Sequence, residues 1–457
     1  MKSWIQLCLW EARQLLRGGA LRWVCGALLA AGLLALWSGD RRLARHASEI
    51  AGLPGHLTTQ MEAVARQFTP DGEAGYVAYY AFLPTHHPLA PLAALSVGLR
   101  DVVPSVIWVR LLGLEGQLYE ADLGNPALQA LGNFDFAFVC CVLAPLALLL
   151  LGHDALARER DAGRLPLLAA QGVSLGRLLA IRVLLAWGAV AATLALTFAL
   201  AVPWVGLSVD ALTLTWFGTA LGHLAVWAAL AALVAAAARS VATSLAVSLA
   251  GWIGAVVLLP AVLNLALVTA LPVSDGLEIT VRQRQETHGA WDRPRADVMN
   301  AFFAHRPQWA DTPPVTGRFA WRWYYAMHEM SDRSVADLGR TYRANLRARQ
   351  DALIRFAWLA PSAYAQLRLN HLARTDLDAH LAYLDEVRAF HERLRDHFYP
   401  LVFADARITP ADYAAFPAYA PPASPVSAAP PPFWPLLLTG IAALFATHRF
   451  LQRPILS

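Results

Sequence analysis

The sequence predicts an all-α integral membrane protein, with six transmembrane helices and two extracytoplasmic, mainly helical insertions. Three observations predict it. The 457 residues are 57% hydrophobic and only 15% charged, where a soluble domain carries roughly 25% charged residues. Six stretches approach the roughly 20 apolar residues that a bilayer span requires. Two long polar stretches separate the first span from the second and the fifth from the sixth, and the later one is periodic in the manner of helices.

Composition also excludes some chemistry. Lys2 is the only lysine among 37 basic residues. A phosphate-binding P-loop needs a Gly-Lys-Ser/Thr step, so the chain carries none and cannot hydrolyse ATP by that route. A net charge of +4 is mild for this length, and no nucleic-acid partner is expected. Cys8, Cys25, Cys140 and Cys141 all lie outside the polar insertions and form no CxxC pair. They read as small apolar residues rather than a disulfide framework.

The elements follow in order. Residues 1–18 place Ile5, Cys8, Leu9, Ala12, Leu15 and Leu16 at helical spacing, with Lys2, Gln6, Arg13 and Arg17 largely opposite. Trp4 and Trp10 suit a headgroup boundary, so this is an interfacial amphipathic helix. The spans are 20–37, 134–151 (with Pro145 inside), 183–207, 214–237, 245–271 and 433–450. The first could be an uncleaved signal peptide, but no small-residue cleavage site follows it and five more spans do. Arginines gather before span one, in the 152–182 loop, at Arg239 and at Arg449 and Arg453, whereas the 208–213 connection has none. The positive-inside rule then puts both termini and the 152–182 loop in the cytoplasm, with 40–132 and 272–432 outside.

Within 272–432 one helix starts at Val335 with apolar positions Leu338, Tyr342, Leu346, Leu353 and Phe356, interrupted by Arg349 and Gln350. Ser334 and Asp337 resemble a capping box. A second starts near Thr375 with the face Leu377, Leu381, Leu384, Val387, Leu394 and Phe398, and Pro400 is expected to end it. Asp376 and Asp378 suit its N-terminus. Residues 417–432 are a Pro-rich linker back to the membrane. The 40–132 insertion is broken by Pro54, Gly55, Pro70, Gly72, Pro84 and Pro88, and short helices are expected there.

Catalytic and metal signals are weak. Eleven histidines lie in the insertions, with His86-His87 adjacent and His328 four residues before Asp332. No HExxH occurs, and no metal ligand, catalytic residue or cofactor-binding residue is assigned. In the spans His223, Asn264 and the boundary residue Asp135 are the polar exceptions, and a lone histidine there is first an interhelical hydrogen bond. Gly172-Val-Ser174-Leu-Gly176 matches GxSxG, but a nucleophile elbow needs a preceding strand and an apolar helix is expected instead. Gly218 and Gly222 form a GxxxG step that serves a subunit interface or packing within the chain.

The cytoplasmic loop is the most informative stretch. It reads Arg158-Glu159-Arg160-Asp161-Ala162-Gly163-Arg164-Leu165-Pro166-Leu167-Leu168. This resembles the charged loop after span two of type-2 ATP-binding-cassette (ABC) transporter permeases, roughly Glu-Arg-Glu-x-Gly-Thr-Leu-x-x-Leu-Leu. Arg164 stands where threonine is usual, and Pro166 is a departure. Asn125-Pro126, Leu131-Gly132-Asn133-Phe134-Asp135, Leu359-Ala360-Pro361-Ser362 and Leu372-Ala373-Arg374-Thr375-Asp376 resemble the subgroup with a large external domain of unknown function between spans five and six. There Arg374 replaces a common glycine.

The resemblance implies a permease subunit without its own ATPase site, in the bacterial cytoplasmic (inner) membrane. ATP would be used by a separate cytoplasmic nucleotide-binding subunit docking on 1–18 and on Arg158, Glu159, Arg160, Gly163, Leu167 and Leu168. A second permease is expected, identical or a paralogue, together with membrane lipid and a periplasmic partner for the external domains. Export is the expected direction, and the substrate is not legible. Two other readings compete: a membrane-anchored sensor or assembly scaffold with ligand-binding external domains, and a secondary transporter or membrane enzyme.

Overall fold

The computed structural model describes residues 2–68, 72–119, 134–273, 276–409, 412–413, 415–421 and 429–452. Helix α1 (Lys2–Arg17) precedes the long α2 (Gly19–Phe68). Short elements follow: α3 (Ala74–Tyr80), strands β1 (Leu83–His86) and β2 (Val106–Val109), and α4 (Leu114–Tyr119). Then come α5 (Phe136–Asp161), α6 (Leu165–Ala170), α7 (Leu175–Val205), α8 (Ala211–Ala237) and α9 (Val241–Ala270). Between α9 and the last helix lie α10 (Gly276–Gly289), α11 (Arg295–His305), α12 (Trp321–Ser334), α13 (Ala336–Ala357), α14 (Pro361–Leu372) and α15 (Leu377–Phe403). The last helix is α16 (Trp434–Leu451). Among the described residues, α2, α5, α7, α8, α9 and α16 are long and apolar enough to cross a membrane.

Two hydrophobic cores organise these helices. The first is the bundle, where Leu36, Phe136, Leu148, Val190, Leu194, Trp216, Leu224 and Leu436 pack together. Helix α8 runs through its centre, with 61% of its apolar stretch buried, against 6% for α9. Cys140 and Cys141 sit fully buried in this core, and all four cysteines are free. Two prolines inside membrane-capable helices are accommodated alike. A π-helical turn at Val139–Leu143 precedes Pro145, and another at Gly254–Leu258 precedes Pro260. Proline lacks an N–H and clashes with the carbonyl four residues back, and a widened turn absorbs both defects. The first π turn also offers the Val142 carbonyl to Trp252 Nε1 at 3.1 Å, linking α5 to α9.

The second core lies in a polar body at one end of the bundle. Both insertions build it together: Val77, Leu83, Val109 and Leu114 from the first pack with Phe302, Trp323, Tyr325, Val387, Phe390 and Phe398 from the second. Five of the six apolar positions expected on α15 are buried there. Charge joins the same halves. Asp332 accepts from the Leu114 and Glu115 amides at 2.8 and 3.1 Å, at the N-terminus of α4, and from Arg395 at 2.9 Å. His328 Nδ1 accepts from the Gly113 amide at 3.2 Å, and Arg388 grips Glu115 at 2.8 and 3.0 Å. The fully buried Glu329 takes Arg306 at 2.9 Å and the Tyr399 hydroxyl at 2.9 Å. The His328–Asp332 spacing thus anchors a loop.

Several local expectations give way to tertiary packing. Helix α2 does not stop near residue 37 but continues for 50 residues, through Pro54-Gly55. Its second half lays Leu53, Leu57, Met61 and Val64 against the chain, and burial of such a face outweighs local propensity. Gly39 lets the turn at Pro91–Ala94 cross α2, since a Cβ there would meet the Ala94 carbonyl oxygen at 1.8 Å. The first insertion contains an antiparallel strand pair, Leu83↔Val109 to His86↔Val106, where only short helices were expected. Ser334 does not cap α13: its hydroxyl donates to the Ser331 carbonyl at 2.7 Å, and α13 starts after Val335 without a side-chain cap. Pro400 lies inside α15, which runs on to Phe403. Asp376 does cap α15, accepting from the Ala379 amide at 3.2 Å. Residues 125–126 and 131–133 of the motif before the second span lie outside the described residues, as do Pro70, Arg453 and much of the Pro-rich linker.

Arg374, in the turn between α14 and α15, has φ +56. That left-handed conformation costs an L-residue about 1 kcal/mol or more and suits glycine. Arg374→Gly should therefore change the thermal midpoint little or raise it, while Arg374→Val should cost about 2 kcal/mol. Equal midpoints for the two variants in detergent would contradict this reading.

Acid should weaken the polar body. Burial, then Arg100, holds the His380 imidazole down at about 4, and burial, then Arg110 and Arg395, holds His328 at about 3. His391 shifts the same way. Their folded values lie below the ordinary 6.5, so the unfolded chain takes up protons first. Stability is full above pH 6.5 and declines as pH falls toward 4. Asp332 opposes this, because burial pushes its carboxyl up to about 6 despite Arg395. The histidines outnumber it, so the thermal midpoint should fall between pH 6.5 and 4, and less steeply in His380→Gln. A flat profile would refute the burial of neutral imidazoles.

Candidate functional site

The end of the bundle away from the polar body gathers α1, the turn after α5, α6, the start of α7, the α8–α9 turn and the end of α16. Gly176 faces Leu451, so the start of α7 and the end of α16 meet here. At the centre is Arg182, on α7. Its guanidinium donates twice to Glu11 of α1, at 2.9 Å each, once to Glu159 at 2.9 Å, and once to the Ala155 carbonyl at 2.7 Å. Glu159 also accepts from Arg164 at 2.6 Å. The side chains of Arg182, Glu11 and Glu159 are only 9, 4 and 9% exposed. A bidentate arginine–carboxylate pair fixes orientation as well as distance, so α1, the α5 terminus and α7 are held as one piece.

The remaining contacts extend that piece. Arg160 reaches the Ala236 carbonyl at 3.5 Å and also bonds the Ala238 carbonyl. Asp161 accepts from the Val241 amide at 2.9 Å, and Ser244 donates to the His153 carbonyl at 2.5 Å. Arg177 lies over the Trp4 ring at 5.7 Å. On α1, Cys8, Glu11, Ala12 and Leu15 turn inward, while Trp4, Ile5, Leu9, Trp10 and Leu16 are exposed. The apolar face read from the sequence is thus split. One part packs on the bundle, and the exposed part is the kind of face an interfacial helix lays against headgroups.

The six residues expected to meet an ATPase divide the same way. Glu159 is buried and Arg160 faces the α8–α9 turn, so both position the loop instead of presenting it. Leu168 is half-buried against the bundle. Arg158, Gly163 and Leu167 face outward, Leu167 at 58% exposure. Gly163 has φ +64, a turn that favours glycine. Pro166 occupies the first turn of α6, where a missing N–H costs nothing. Arg164 precedes α6 and spends its side chain on Glu159 instead of a cap. Sequence reading missed Glu11 and Arg182 as partners. The available signal was an acid inside the inward stripe of α1, at the spacing of Cys8, Ala12 and Leu15.

Most of the other candidates make contacts within the chain. A Cβ on Gly222 would meet Phe433 Cζ at 2.3 Å, so this glycine admits a ring of the same chain, while Gly218 faces open space. His223 Nε2 lies 3.2 Å from Ser362 Oγ on α14 and accepts from Trp227 Nε1 at 3.0 Å. Asp135 caps α5, accepting from the Phe138 amide at 2.7 Å and from the Val97 amide at 2.8 Å. Ser174 follows α6, a helix, and makes no cap bond to α7. The polar gap on α13 is used: Arg349 donates to the Leu271 carbonyl at 3.1 and 2.7 Å, and Gln350 to Asp378 at 2.9 Å. A cavity of about 630 Å³ opens between α5, α9, α13 and α14, with Val142, Val256 and Pro260 on its apolar wall and Asn264, Gln366 and Asn370 among its polar groups.

Residues 277–421 match the family model described as "Domain of unknown function (DUF3526)". The match falls between α9 and α16, the fifth and sixth membrane-capable helices. No curated protein and no solved structure matches the chain.

Removing one partner of a buried ion pair strands the other charge and costs about 3–5 kcal/mol. Arg182→Gln should therefore destabilise the detergent-purified protein by that order, while a triple change of Glu11→Gln, Arg182→Met and Glu159→Gln should recover part of the loss. Equal stability of wild type and Arg182→Gln in denaturant unfolding would show that the clamp is not formed.

Proposed function

We propose that this chain is the membrane-spanning permease subunit of an ABC transporter, an exporter driven by a separate cytoplasmic ATPase. The observation that carries the proposal is the clamp of Arg182 on Glu11 and Glu159. It fuses an amphipathic N-terminal helix and a charged loop into one surface, with Arg158, Gly163 and Leu167 facing outward. A partner that pushes on this surface moves α1, α5 and α7 together. The matched domain supports the same reading, because its family is associated with ABC transporters and it sits between the fifth and sixth membrane-capable helices. The sequence carries no P-loop lysine, which is consistent with ATP being used by another chain.

In this reading the protein resides in the bacterial inner membrane, with both termini cytoplasmic and the polar body outside. The body and its docked helix α14 cover the outer end of the bundle. Helix α9 leaves its apolar face open, which lipid or a second permease, identical or a paralogue, would cover. The body would gate the path or meet a periplasmic partner.

A photo-crosslinking residue at Leu167 should capture a Walker-A ATPase in native membranes, and one at Leu438 on α16 should not. Adding Gly163→Pro should weaken that capture at least tenfold while leaving the protein folded. Capture of no ATPase from Leu167 would favour the scaffold reading.

A further inference from the structure

The geometry points to a divalent transition-metal site formed by His371, Asp376 and Asp378, at the seam between the polar body and the bundle. The three side chains come from the end of α14, the turn after it and the first turn of α15. One ligand atom from each lies within 4.8 Å of the other two. His371 Nδ1 and Asp376 Oδ2 share a hydrogen bond of 2.7 Å, which a bound ion would replace by coordination to both groups.

The turn that brings them together is fixed independently of any ion. The Thr375 amide donates to the Asn370 carbonyl at 2.9 Å, and the Leu99 amide donates to the Thr375 carbonyl at 2.7 Å. Arg374 takes the left-handed conformation between them. The ligands are also oriented from behind, as metal ligands usually are. Gln350 Nε2 donates to Asp378 Oδ2 at 2.9 Å, and the Ala379 amide donates to Asp376 Oδ1 at 3.2 Å. His371 is buried and the two carboxylates are half-buried.

Charge favours a cation here. Two carboxylates two residues apart face one imidazole, with Asp351 nearby. Arg347 is within electrostatic reach, but its guanidinium lies 3.7 Å from Asp385. One imidazole nitrogen with two carboxylates suits Zn²⁺ or Mn²⁺ better than the all-oxygen ions. Asp376 and Gln350 also line the 630 Å³ cavity, which offers an approach path and room for the remaining coordination positions. An ion held there would tie α14, docked on the bundle, to α15, the central helix of the polar body.

The test uses the full chain in detergent, stripped with chelator. Titrated Mn²⁺ should bind at about one ion per chain by electron paramagnetic resonance, and Zn²⁺ should displace it. Saturating Zn²⁺ should raise the thermal midpoint by a few degrees. Asp378→Asn keeps the bond from Gln350 and should weaken binding at least tenfold with an unchanged metal-free midpoint. Asp396→Asn, exposed further along the same helix, should bind as wild type. Absence of stoichiometric Mn²⁺ uptake by the wild type, or equal uptake by Asp378→Asn, overturns the site.

Discussion

The buried guanidinium of Arg182 is the constraint on which one end of the molecule depends. A charge removed from water must be matched closely, and here two carboxylates and a carbonyl do so. The three charged residues come from positions 11, 159 and 182, so the pairing determines how the N-terminal helix, the loop after the second membrane-capable helix and the third such helix meet. Exchange of Arg182 for a neutral residue takes the guanidinium from Glu11, while Glu159 keeps Arg164. The surface outside the clamp is short, mixed and exposed, which suits a partner that is gripped and released.

The opposite end follows the same logic with different groups. Asp332 and Arg388 take hold of backbone and side chain at residues 114–115, more than two hundred positions away. Two insertions therefore share one core. The extended α2 passes along the bundle and continues along that core, making a continuous mechanical element between the two ends. Through Ser362, Tyr364 and Arg368, helix α14 seats the polar body on α8 and on the segment before α16.

What was legible in the sequence follows from the range of each signal. The membrane-capable helices are legible because bilayer thickness sets the length of such apolar runs, and six apolar helices are found where six apolar runs stand. The α15 face is legible because Leu381, Leu384, Val387, Leu394 and Phe398 repeat at helical spacing. The continuation of α2 was not, because Pro54 and Gly55 are local breakers overruled by distant packing. The strand pair β1–β2 joins residues 20 to 26 positions apart through short tetrapeptides with no distinctive pattern. Glu159 was singled out for its position in the loop, yet its role depends on Glu11 and Arg182, partners that no periodicity connects. The departures at Arg374 and Pro166 became intelligible only with the backbone in view, one as a left-handed turn and the other as a first helical turn.

The central claim is that a separate ATPase works on the Arg182-clamped surface. The most direct measurement is isolation of the tagged protein from its native membrane in mild detergent, with every co-purifying chain identified by mass spectrometry. The account predicts a Walker-A ATPase, alone or with a second six-span chain, and its loss when Glu11, Glu159 and Arg182 are replaced together in a protein that remains folded. Recovery of external proteins only, with no ATPase, would contradict it.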